Sequence, residues 1–215
     1  MLAQALKIHI VSDEVWPWCA IGVSSVKQAI GRLDGEIAAE LRFHAFELDP
    51  ERNPEGRNIR EMLKANYGLT DEQVTANQEM VRARGEEVGF VFNFREGSRI
   101  YNTFDAHRLL HWAGVAGGQE ALKLALLRAN FTNGRNVSDW DVLVSVAEEA
   151  GLDGAEARDV LISGRYADEV RKEEAHWHAV GVTSVPTFIV NDLYAISGGQ
   201  PVDVFEQALR KIAAE

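Results

Sequence analysis

Ile8-His9-Ile10-Val11-Ser12-Asp13-Glu14-Val15-Trp16-Pro17-Trp18-Cys19-Ala20-Ile21-Gly22 is the stretch that decides the fold. Over residues 6–12, Leu6, Ile8 and Ile10 alternate with Lys7, His9 and Val11, which predicts a strand. Pro17 follows at a turn and suits the first turn of a helix, where a missing amide hydrogen costs least. Val23, Val26, Ile30 and Leu33 then recur at spacings of three and four, one face of that helix. Asp34-Gly35 ends it. At such a strand-to-helix turn, a dithiol redox site carries C-x-x-C. Here Trp16 stands in the first position, and Cys19, the one cysteine of the chain, in the second.

Residues 40–48 read as a second strand. One helix between two strands is a β-α-β unit, so the strands should run parallel with a right-handed crossover. A loop rich in Pro, Asn, Gly and charge covers 49–58, and the texture then turns helical. Thr70-Asp71-Glu72-Gln73 is a capping box, in which hydroxyl and amide side chains satisfy end-of-helix donors reciprocally. Helices are expected over 102–115 and 118–130. Asn133-Gly134 makes a turn, and Ser138-Asp139-Trp140-Asp141 opens a helix to about 150. A shorter helix ends near Gly164. The first texture returns with a helix at 166–180 and a hairpin of Thr187–Val190 and Tyr194–Ile196 around Asn191-Asp192. A last helix is expected at 201–214. The order divides the chain into an α/β part, 1–56 with 164–215, and a helical insertion, 57–163.

At 215 residues and 46% hydrophobic, the chain can bury one sizeable core. A formal charge of −11 argues against nucleic-acid or anionic-membrane partners, which need a basic footprint. No apolar run approaches the roughly 20 residues of a membrane-spanning helix. The N-terminal residues lack a secretory pattern, and a single cysteine allows no internal disulfide. Together these point to the cytoplasm.

Cys19 should lie near the unpaired amides and positive end of its helix, which stabilises a thiolate and lowers the thiol pKa. The second cysteine of a C-x-x-C is tucked under the first, so two readings stay open: a reactive thiol, or a small buried hydrophobe. Val185-Pro186 precedes a strand, and beside Trp16-Pro17-Trp18-Cys19 we expect its bond to be cis. That turns the Val185 backbone outward, where an extended peptide or a small thiol such as glutathione can pair with it like an added strand. Trp16 and Trp18 are either core plugs or an aromatic platform. His107 and His111 share a helix face, but no third metal ligand accompanies them in sequence, so packing is the expected role and no metal is assigned. His176 and His178, two apart, fall on different faces.

These residues resemble the DsbA-like family of thioredoxin-fold proteins, most closely the FrnE-type branch. The resemblance rests on Asp13 to Gly22, Phe46-Glu47-Leu48-Asp49-Pro50, Asn102 to Leu109, Gly134 to Asp139, Gly181 to Phe188 and Ile196-Ser197-Gly198-Gly199-Gln200-Pro201. It implies an α/β thioredoxin-like fold with a large all-helical insertion, a cis bond at Pro186 and thiol–disulfide chemistry at 16–19. Related branches include glutathione-dependent transferases and 2-hydroxychromene-2-carboxylate isomerases, with serine at the attacking position. Trp16 is neither cysteine nor serine. The expectation is therefore a DsbA/FrnE-like oxidoreductase relative with a degenerate site. Cys19 would be its catalytic thiol, acting alone, and Trp16, Pro17, Trp18, Val185, Pro186, Ser197 and Gly198 would contact substrate. No cofactor is required, glutathione is the candidate co-substrate, and the partner is a small thiol or a protein thiol or disulfide. The alternatives are a glutathione-dependent isomerase or transferase, a non-catalytic binder of a peptide or small aromatic ligand, and a homodimer joined through Cys19.

Overall fold

The computed structural model describes residues 4–215, the side chains from Ala5 onward. Strand β1 (Gln4–Ser12) leads into helix α1 (Pro17–Arg32) and strand β2 (Ile37–Ala45). A short strand β3 (Arg57–Asn58), helices α2 (Ile59–Tyr67) and α3 (Asp71–Glu87) and a short strand β4 (Arg99–Ile100) follow. Then come α4 (Phe104–Ala116), α5 (Gln119–Phe131), α6 (Trp140–Glu149), α7 (Gly154–Ser163) and α8 (Ala167–Ala179). The chain returns through β5 (Thr187–Val190) and β6 (Tyr194–Ser197) to α9 (Val202–Ala213).

The main sheet has the order β2-β1-β5-β6. β1 and β2 are parallel in the register Ile8↔Leu41, and β5 runs antiparallel to both β1 and β6. Leu6, Ile8 and Ile10 are buried as their alternation predicts, but His9 and Val11 are buried too. Both sheet faces are covered: α1 and α9 pack beside Ile8 and Ile10, whereas Trp177 of α8 lies against His9 and His44. At Asn191 and Asp192 the turn takes φ of 53° and 59°, the left-handed pair that matches the twist of a two-residue hairpin.

β2 lies earlier in the chain than the 40–48 expected from its apolar pattern. Past Ala45 the backbone leaves the sheet because side chains take its amides: Glu47 donates to Glu174 (3.1 Å) and Leu48 to Asp13 (2.9 Å). The expected 49–58 loop ends in β3, which pairs with β4 in a small antiparallel ladder that local patterning does not reveal. The Thr70 capping box forms in full, with Gln73 N–H donating to the Thr70 hydroxyl and Thr70 N–H to the Gln73 side chain. Among the described residues no helix is long and apolar enough to cross a membrane.

Candidate functional site

Trp16 is the N-cap residue of α1, with no side-chain cap, and Pro17 opens the helix. The Cys19 amide closes the first turn onto the Trp16 carbonyl at 2.9 Å. Trp16, Pro17 and Trp18 are half-buried, whereas Cys19 has no exposed surface. Its Sγ accepts from the Asp13 amide at 3.4 Å and packs in an apolar cluster with Val11, Phe46, Trp177, Val182 and Val185. The expectation of a lowered thiol pKa is corrected here. Burial pushes the Cys19 thiol well above its usual range and outweighs the Lys123 charge and the Asp13 amide. The helix-end field favours a thiolate, but a sulfur cut off from water loses more by desolvation than that field returns.

The Val185–Pro186 bond is cis, as expected. Pro186 lies against α1. A Cβ built on Gly22 would stand 3.0 Å from Pro186 Cγ, 3.0 Å from the Phe188 ring and 3.3 Å from Gly199 Cα. Only a glycine allows this approach without displacement. The loop after β6 completes the contact, since a Cβ on Gly199 would meet the Trp18 carbonyl at 2.9 Å. Val185 is buried, and among the described residues its amide and carbonyl have no backbone partner. Ser197 is exposed. The Gly198 amide already donates to the Pro186 carbonyl at 2.8 Å, so it holds the loop and is not open to a ligand.

Beneath Cys19 lies a buried polar layer that sequence spacing hides. Glu14 pairs with Lys123 of α5, both fully buried, and His107 Nε2 of α4 stands 3.1 Å from Glu14 Oε2 and 3.9 Å from Asp13 Oδ1. Asp13, Glu14 and His107 thus offer donor atoms within 4.8 Å of one another, so His107 does gain companions after all. The Lys123 ammonium supplies a positive charge to this layer. Burial raises the Asp13 pKa, helped by Glu14. For Glu14 burial acts in the same sense, but His107 and Lys123 prevail and hold it below the usual carboxylate value. His111, the other member of the expected pair, turns away to face the Tyr166 ring at 5.0 Å. One signal was available in sequence: Asp13-Glu14 are adjacent charges inside an otherwise apolar strand end, a place where charge needs partners.

Two cavities adjoin Trp16. One, of about 210 Å³, lies between the Trp16-Pro17-Trp18 turn and the helical block, walled by Leu63, Met80, Val81 and Phe94 among other apolar groups. The other, of about 720 Å³, opens between Trp16 and the 48–57 loop. Trp16, Met62 and Ile100 line both. The tryptophans are therefore neither plain core plugs nor a free platform; Trp16 is a partition between two hollows.

The sequence profile of the DSBA-like thioredoxin domain matches residues 7–210. The chain is 30% identical over 207 residues to the uncharacterized protein YwbO of Bacillus subtilis (strain 168), covering 96% of each. Its structure resembles that of a probable DsbA oxidoreductase, SCO1869, from Streptomyces coelicolor. That match has a TM-score of 0.92 and 38% identity over 98% of this chain and 91% of that one. The cytosolic disulfide reductase DsbM from Pseudomonas aeruginosa, with GSH, shares the fold at a TM-score of 0.66 and 19% identity, covering 97% and 100%. With the cis prolyl bond set against the first helix and the profile match spanning nearly the whole length, this chain belongs to the DsbA-like thioredoxin-domain family of thiol oxidoreductases.

Proposed function

We propose that this family member uses the turn at 16–19 to bind a small apolar molecule rather than to cycle a dithiol. Internal disulfide exchange needs two sulfurs, and the sequence has one cysteine. The observation that carries the reading is the apolar cavity against Trp16, Pro17 and Trp18, formed where a reactive sulfur would face its substrate. Largely apolar clefts with few polar groups are the usual form of small-molecule sites. Cys19 then serves as packing under the turn, in keeping with its burial. The test is a fluorescence titration with 8-anilinonaphthalene-1-sulfonate as an apolar probe. Binding should persist in Cys19→Ala and weaken roughly tenfold or more in Trp16→Ala, the behaviour of an aromatic anchor. If Cys19→Ala abolishes binding, the reading is wrong.

A second reading has its own support. The unpartnered Val185 backbone beside the start of α1 suits an extended thiol peptide such as glutathione, pairing strand-like. In its non-covalent form glutathione would sit there as co-substrate. In its monothiol form the Cys19 thiolate would attack the disulfide of oxidised glutathione, forming a mixed disulfide and releasing one glutathione thiol; an external thiol would then resolve it, and the Cys19 sulfur would first have to reach solvent. Calorimetry with reduced and with oxidised glutathione separates these cases. Binding that survives Cys19→Ala supports the non-covalent form, binding lost with the sulfur supports the covalent one, and no heat at millimolar ligand removes both.

A further inference from the structure

The two cavities that share Trp16 differ in chemistry. The smaller is walled mostly by apolar side chains, with Asn77 and Gln78 its polar members. The larger presents two guanidinium groups, Arg52 and Arg57, with Asp49 its one lining carboxylate. Arg52 is already engaged: it donates to the Tyr101 carbonyl at 3.3 Å and lies 3.5 Å from Asp49. Arg57 is exposed, and among the described residues its side chain makes no ion pair or hydrogen bond. A cation without a partner, at the edge of an apolar hollow in a chain of net charge −11, sets up a local field opposite to that of the molecule as a whole.

We propose that the occupant of the Trp16 groove is an amphiphile with one anionic head, its apolar body in the smaller cavity and its acid group on Arg57 across the Trp16 partition. This rests on the apolar-ligand reading above and names the class of ligand. A guanidinium presents paired N–H donors that match a carboxylate, and such charge-assisted contacts are stronger than neutral ones. Trp16, Met62 and Ile100 line both hollows, so the ligand would lie along these apolar side chains where it crosses from one to the other. The smaller cavity, of about 210 Å³, is the space the apolar body would fill.

The test uses the full chain and two ligands that differ only in the head group, decanoate and decanol, titrated by calorimetry. Decanoate should bind more tightly than decanol, and added salt should weaken decanoate alone. Arg57→Gln, an exposed change that leaves the core untouched, should weaken decanoate about tenfold and leave decanol unchanged. Decanol binding as tightly as decanoate, or decanoate binding unaffected by Arg57→Gln, overturns the anionic-head proposal while leaving the apolar site standing. If neither ligand binds, both this proposal and the apolar-ligand reading fall.

Discussion

Cys19 shows how strongly one residue's surroundings outweigh its place in a motif. Its sulfur sits in the first turn of α1, yet it is enclosed by Val11, Phe46 and Val185. We expect folded protein at mildly alkaline pH to resist iodoacetamide, and to be labelled at once in denaturant, read by intact mass. Fast labelling in the folded state would show that the thiol reaches solvent. Cys19→Ser places a hydroxyl in the same cluster and should lower stability by about 1–3 kcal/mol by urea unfolding. Lys123 is the complementary case. Lys123→Met leaves Glu14 buried without its counter-ion and should cost about 3–5 kcal/mol, recovered in large part by adding Glu14→Gln. The two carboxylates of this layer act oppositely with pH. The folded pKa of Glu14 is depressed, so its contribution is present above the usual 4.5 and fades as pH falls through the folded value. The folded pKa of Asp13 is raised, so the folded state holds the extra proton and stability declines as pH rises above the usual 3.8. Asp13→Asn should therefore flatten that decline, as urea midpoints across the acid range would report.

Among the elements, α1 is fixed at its first two turns by contact rather than by capping. Trp16 provides no side-chain cap, and Gly22 instead lets the helix approach Pro186 and Phe188. Gly22→Ala inserts a methyl group 3.0 Å from both and should destabilise by about 1–3 kcal/mol, despite the better helix propensity of alanine. An unchanged urea midpoint would mean that this loop yields freely. The legible elements were those with local signals: the capping box of α3, the Asp139 cap of α6 and the Asn191-Asp192 hairpin turn all formed at the residues that announced them. β3 and β4 were not legible. Each has two residues, and their pairing depends on chain brought together from the far side of α2 and α3.

At the scale of the molecule, the division into an α/β part and a helical insertion at 57–163 remains our proposal for its architecture, and it is not a division of the core. Ile8, Ile10 and Phe188 of the sheet share one apolar cluster with Val81, Phe90, Leu127 and Phe131 from the helical block. The buried Lys123–Glu14 pair crosses the same boundary. We therefore expect one cooperative unfolding transition, with far-ultraviolet and tryptophan signals coinciding in urea. Two separated midpoints would show that the block folds on its own.

The order of the main-sheet strands and the longer helices, the turn carrying Cys19 and the family were set by the sequence alone, because periodicity, caps and turn residues act between near neighbours. The depth of the sulfur, the grouping of Asp13 and Glu14 with His107 and Lys123, and the cavities divided by Trp16 were decided only by tertiary structure. Burial and long-range charge depend on which distant segments close over a residue, and no local pattern encodes that.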